Sequence, residues 1–141
     1  MQRPEIVDEE VFFDGKSLIS ETDLKGNITY VNRKFAEMSG YSKAESINQP
    51  HNILRHPDMP KEAFKGMWNS IQAGNIWEGY VKNLRKDGKY YWVIVNIIPK
   101  KDESGEIIGY IASRKVPDRY RINAIEIQYA KMLLQEQKKQ F

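Results

Sequence analysis

Ten residues, "HNILRHPDMP" from His51 to Pro60, hold both histidines of the chain together with an arginine, an aspartate, an asparagine and two prolines. Arg55 offers a planar fork of donors, suited to a phosphate or a carbonyl edge. His56 can donate or stack, and Asp58 can fix its tautomer or orient Arg55. Pro57 and Pro60 restrict the backbone and so help preorganise the segment. Plainer roles compete with these. Arg55 and Asp58 could form a loop-tying ion pair, and Asp58 could cap a helix that Pro60 opens. Zinc is a poorer match: His51 and His56, five apart, do not share a helix face, and there is no cysteine to join them. Neither a glycine-rich phosphate loop nor a Ser-His-acid series is evident.

The rest of the chain must place that segment against a pocket. With 141 residues, 40% hydrophobic and 29% charged, it reads as one globular domain able to bury a core. A net charge of +3 is too small to point to nucleic acid. No run approaches the roughly 20 apolar residues of a spanning helix, and the opening residues lack a secretory signal. The absence of cysteine suits a reducing compartment. The expectation is a cytoplasmic domain without direct membrane insertion.

Turns and periodicity give the element order. "SLISETD" and "NITYVN" are strand-like and joined by a turn at residues 23–26. "NRKFAEMSG" has helical spacing and stops at Gly40; "SKAESI" carries a capping box in Ser42 and Glu45. A longer helix from Pro60 places Phe64, Met67, Trp68 and Ile71 on one apolar face before Gly74. "IWEGYVKNLR" and "KYYWVIVNIIP" flank a hairpin turn at 86–88, and "EIIGYIASRKV" follows another turn. Two strands, a helical insert and three hairpin-linked strands predict an α+β fold, a five-stranded antiparallel sheet with the insert between strands 2 and 3. Trp77 and Asn83, six apart on one strand, share a face and present a ring and an amide to one pocket. Trp68 reads as a core residue that borders it. Tyr91 and Trp92 point to opposite faces, which predicts that one of them is a surface or dimer contact. Residues 1–16 form an N-terminal cap and 17–116 the sheet domain. Residues 117–141 form a helix capped by Asp118, in which Ile122, Ile125, Tyr129 and Met132 make a short apolar seam that Glu136 breaks. That helix could pack back on the sheet or serve as a signalling face.

The segments "TDLKGNITYVNRKFAEMSGYSKAE", "NLRKDGKYYWV" and "GEIIGYIASR" resemble a PAS sensor domain, over about Ser17 to Arg114. "QPHNILRHPDMP" and "MWNSIQAGNIWEGYVKNLRKDGKYYWV" resemble more narrowly the PAS domain of bacterial aerotaxis and energy-taxis receptors. That resemblance implies the PAS fold and FAD as cofactor, with Arg55, His56, Asp58, Trp68, Trp77 and Asn83 around it. Asn83 matches an asparagine that flavin-binding relatives set against the pyrimidine edge; their second asparagine, ten residues on, is replaced here by Val93. FAD needs a flat apolar slot, donors for its polar edge and positive charge for its pyrophosphate, and these residue types supply all three. The resemblance also leaves haem b open, with His51 or His56 as axial ligand, and a cofactor-free dimerisation module. A cysteine–flavin adduct is chemically impossible. The implied role is redox sensing in aerotaxis or energy taxis without substrate turnover. Its output would go to a membrane-bound methyl-accepting chemotaxis-type protein, and a homodimer would form through the PAS domain or the terminal helices.

Overall fold

A computed structural model describes residues 3–139; the outermost residues of both terminal segments, 1–2 and 140–141, lie outside the described residues. Strands β1 (Leu18–Asp23) and β2 (Ile28–Val31) precede helices α1 (Arg33–Ser39) and α2 (Lys43–Ser46), a short 3₁₀ turn at His51–Leu54 and helix α3 (Lys61–Gln72). Strands β3 (Trp77–Leu84), β4 (Tyr90–Lys101) and β5 (Ile107–Lys115) follow, then helix α4 (Arg119–Lys138). The sheet is antiparallel throughout, in the order β2-β1-β5-β4-β3, as the hairpin signals require. Local chemistry sets the helix ends. The Asn32 side chain accepts from the amide of Phe35 and Gly40 closes α1 at φ 83°, while Ser42 and Glu45 form the expected capping box.

Strand alternation gives the sheet two different faces. The registers Ser20 with Ala112, Val95 with Arg114, Asn83 with Tyr91 and Trp77 with Ile97 put these residues on the face toward the insert. The opposite face is covered by α4. Ile122 is fully buried there, and Tyr129 stacks on Trp92 at 6.4 Å while its hydroxyl donates to the Tyr80 carbonyl at 2.8 Å. Tyr91 and Trp92 are therefore both buried, contrary to the expected exposure of one of them. Both faces of the sheet are covered. The N-terminal segment runs along the start of β4 through a bridge between Glu10 and Tyr90 and buries Phe13.

Two details bear on the site. Edge strand β3 is shielded by residues 55–59: Arg55 bridges Asn83, and the Met59 sulfur accepts from the Lys82 amide at 3.4 Å. Helix α3 begins after Pro60, which supplies no side-chain cap. Its cap arrives from the far end of the chain, where the two carboxylate oxygens of Glu136 accept from the Lys61 and Glu62 amides, each at 3.0 Å. The residue that breaks the apolar seam of α4 thus completes α3. Asp58 does not cap this helix, because its carboxylate is turned to Lys82 at 2.8 Å. Among the described residues no helix is long and apolar enough to cross a membrane.

Candidate functional site

Between the insert and the inward face of the sheet lies a cavity of about 410 Å³. Its walls are mostly apolar: Phe64, Met67, Trp68 and Ile71 from α3, and Trp77, Val81, Val95 and Ile97 from the sheet. Such a slot, with a few polar groups converging on it, is the usual form of a small-molecule site. Trp68 meets Tyr110 edge-on at 5.8 Å. The Trp77 indole lies along its own strand over Gly79, where a Cβ would come within 2.4 Å of the ring. Gly79 is what lets that ring lie there. Arg55 sits at the wall with its guanidinium 4.6 Å over the Phe64 ring and bonded to the Met59 carbonyl at 3.3 Å. Asn83, buried, faces the cavity from β3 beside Tyr91, whose phenol burial pushes up to about 12.

A group not singled out from sequence completes the wall. Arg114 of β5 is 6% exposed and lines the cavity. It donates through Nη1 to Ser20 Oγ at 2.9 Å and approaches His51 Nε2 with Nη2 at 3.1 Å, while its Nε, also buried, has no hydrogen-bond partner. No carboxylate pairs with it among the described residues. Burial brings its pKa from 12.5 down to about 10. Strand parity contains the signal: Tyr110, Ala112 and Arg114 alternate onto the inward face. A buried cation with an idle donor at a cavity wall is suited to an acceptor-rich ligand edge.

His51 borders the cavity too, with Nε2 3.0 Å from Ser20 Oγ. Because the arginine can only donate, Nε2 accepts, and the ring is neutral with its proton on Nδ1. Burial, and then the adjacent Arg114 charge, lower its pKa from 6.5 to about 3. The unfolded chain therefore binds a proton between these values that the folded chain does not. Its stability contribution is full above pH 6.5 and lost as pH falls toward 3. Unfolding free energy should drop by about 2 kcal/mol from this residue between pH 7 and 5. Urea unfolding at pH 7 and 5 measures it, and His51→Gln should remove this share of the slope. A share from His56, shifted the same way, should persist.

The sequence block divides at Arg55. His56 and Asp58 do not line the cavity; the chain passes over the edge of β3 and carries them toward the opposite face. His56 Nδ1 accepts from the Asp58 amide at 3.0 Å, its ring meets Tyr90 edge-on at 5.9 Å, and Asp58 pairs with Lys82. Burial, and then the Lys82 charge, lower the His56 pKa. The tautomer of His56 is fixed by the Asp58 amide, with the carboxylate left for Lys82. Arg55, Trp68, Trp77 and Asn83 do converge on the cavity. An axial haem ligand is poorly served here, since His56 is outside and His51 faces a guanidinium.

Residues 28–114 match the family model of the PAS fold. The chain belongs to the PAS fold family. This PAS domain is similar to the aerotaxis receptor of Escherichia coli (strain K12), with 46% identity over 116 residues covering 82% of this chain and 23% of that protein. It is also similar to the nitrogen fixation regulatory protein of Klebsiella pneumoniae, with 35% identity over 97 residues covering 69% of this chain and 20% of that protein. The chain thus spans about a fifth of the length of these relatives. Among solved structures, the PAS domain of a Colwellia psychrerythraea protein superposes with a TM-score of 0.65 at 27% identity, covering 72% of this chain and 86% of that one. PAS membership accounts for the strand order and for an insert that leaves a cavity against the sheet.

Proposed function

We propose that this PAS domain binds FAD without a covalent link and reports its redox state to a membrane-bound methyl-accepting chemotaxis-type protein from the cytoplasmic side. The observation that carries the reading is the buried guanidinium of Arg114, which pairs with no carboxylate among the described residues and shares with Asn83 a cavity walled by rings and aliphatic chains. When bound, the flavin would supply reversible electron uptake, with charge and hydrogen bonding changing at its polar edge. Trp77 and Trp68 offer flat apolar walls. Asn83 and Arg114 offer donors to the ring edge, and Arg55 a charged fork to the pyrophosphate. His56 and Asp58 hold the loop that carries Arg55. Output follows from connectivity, because Asn83 lies on the strand whose Tyr80 carbonyl accepts from Tyr129 of α4. A change in the ligand biases that contact only through differential interaction with two states. The relatives' aerotaxis and regulatory names support a sensory role.

The test is the absorption spectrum of the purified protein, then chromatography of the chromophore released by heat. FAD is expected. A Soret band would favour haem, and a colourless protein that takes up no added FAD would end the proposal. Arg55→Ala should weaken FAD about ten- to a hundredfold, the worth of hydrogen bonds to a charged group, and riboflavin far less. Asn83→Ala should weaken both ligands, which carry the same ring. Equal losses for FAD and riboflavin in the Arg55 variant would move that side chain to the ring.

A further inference from the structure

We infer that the cavity rim formed by Lys25, Pro50 and Asn52 is the subsite for the AMP half of the flavin dinucleotide, and that it makes this domain choose FAD over FMN. The inference rests on the flavin reading of the cavity. Residues lining the cavity differ in exposure, and that difference locates its opening. Ser20, Asn83, Val95 and Arg114 are buried, whereas Lys25, Pro50 and Asn52 are exposed. The three belong to two segments held edge to edge: the His51 amide donates to the Gly26 carbonyl at 3.0 Å, and Asn27 bridges Pro50. Arg3 holds the rim from outside, donating to the Asn52 carbonyl at 2.7 Å and to the Ile53 carbonyl at 3.3 Å. The other side of the opening is α3. Its Trp68 ring lies against Gly26, where a Cβ would be 3.0 Å from two ring carbons, and Arg55 is laid over its Phe64.

A flavin held at its polar ring edge by buried Asn83 and Arg114 must send its tail out through this opening. The tail of FAD carries a diphosphate and an adenosine, both too polar for the apolar depths. The rim offers a group for each. Lys25 brings a cation whose neighbouring carboxylate is already engaged. Asp23 Oδ1 accepts from the amides of Lys25 and Asn27, each at 2.9 Å, and Oδ2 accepts from Asn27 Nδ2 at 3.3 Å. Lys25 forms no ion pair among the described residues. It thus adds a second cation for the diphosphate, while Arg55 serves from the α3 side. Asn52 gives its backbone carbonyl to Arg3, and its side-chain amide matches the paired donor and acceptor of an adenine edge. Pro50 and Trp68 supply flat apolar surface for the base. FMN would meet Lys25 without Asn52, and riboflavin would meet neither.

Titration of the flavin-free whole chain with FAD, FMN and riboflavin, read by flavin fluorescence, tests it. Affinity should fall in that order. Lys25→Glu should weaken FAD and FMN about tenfold, more than the few-fold worth of an exposed ion pair because the charge is reversed. Riboflavin should be nearly unaffected. Lys25→Arg should keep FAD binding, and added salt should narrow the gap between FAD and riboflavin. Asn52→Ala should weaken FAD several-fold and leave the other two alone. Both positions are exposed, so the urea midpoint of each variant should match the parent. If the parent binds FAD and riboflavin equally, or Lys25→Glu costs all three flavins alike, the rim holds no AMP half although the cavity remains a flavin site. If none of the three binds, the flavin reading itself fails and this inference falls with it.

Discussion

Replacing Arg114 with methionine should weaken flavin binding about ten- to a hundredfold while making the flavin-free domain harder to unfold. These opposite signs follow from burial. A guanidinium brought to about 10 from 12.5 by desolvation corresponds to about 3 kcal/mol of unfavourable burial, with no carboxylate among the described residues to offset it. Methionine fills a similar volume without the charge, and such replacements are often stabilising by about 1–4 kcal/mol. The groups that Arg114 leaves behind are not stranded, because the Ser20 hydroxyl, 3.0 Å from His51 Nε2, can donate to it. Urea unfolding of the flavin-free protein and titration with both FAD and riboflavin give the two readouts. The two ligands should lose equally, since the side chain is assigned to the ring edge. A variant that is destabilised yet binds flavin normally would make Arg114 structural and remove the main support for the site.

Gly79→Ala should cost at least about tenfold in flavin affinity with little loss of stability. The new Cβ would stand 2.4 and 2.5 Å from Trp77 Cη2 and Cζ2, so the indole must leave its place on the strand. Because the colliding atoms are the far end of a half-buried side chain, the ring can swing away. The fold should therefore lose no more than about 1–2 kcal/mol, while the cavity wall changes shape. Gly66→Ala is the control. Nothing lies within 4 Å of the place its new methyl would take on α3, and an exchange within a helix should stabilise by up to about 1 kcal/mol and leave binding alone. In a Trp77→Leu background the clash disappears, so Gly79→Ala should then cost almost nothing further. Full flavin affinity in Gly79→Ala would show that the wall does not need the indole where it lies.

The parts of this molecule legible in its sequence are those encoded within a few residues. Gly40, the Ser42/Glu45 box, the hairpin at 86–88 and the Asp118 cap are local chemistry, and each lies where the sequence puts it. Period two also places Trp77 and Asn83 on one face. The same rule applied to β5 puts Arg114 inward, but a lone arginine near a strand end reads as solvated until the sheet's other face is known to be covered. Adjacency groups His56 and Asp58 with Arg55, and adjacency fails where a loop crosses a sheet edge. The burial of Trp92 depends on which partner the inner seam of α4 chooses, and four apolar positions do not specify a partner.

The Glu136 cap, combined with the strand order, makes time part of this architecture. The 75 residues from Lys61 to Glu136 take roughly 4 to 15 seconds to emerge at ordinary translation rates. Throughout that interval the first amides of α3 have no side-chain acceptor. The sheet waits as well, because β5 lies between β1 and β4 and the hairpin of β1 and β2 has nothing to join until it arrives. The growing chain thus holds most of the cavity's residues long before it holds the cavity. Its ligand can contribute to folding only at the last step, when β5 brings Arg114 to the wall and α4 closes the end of α3.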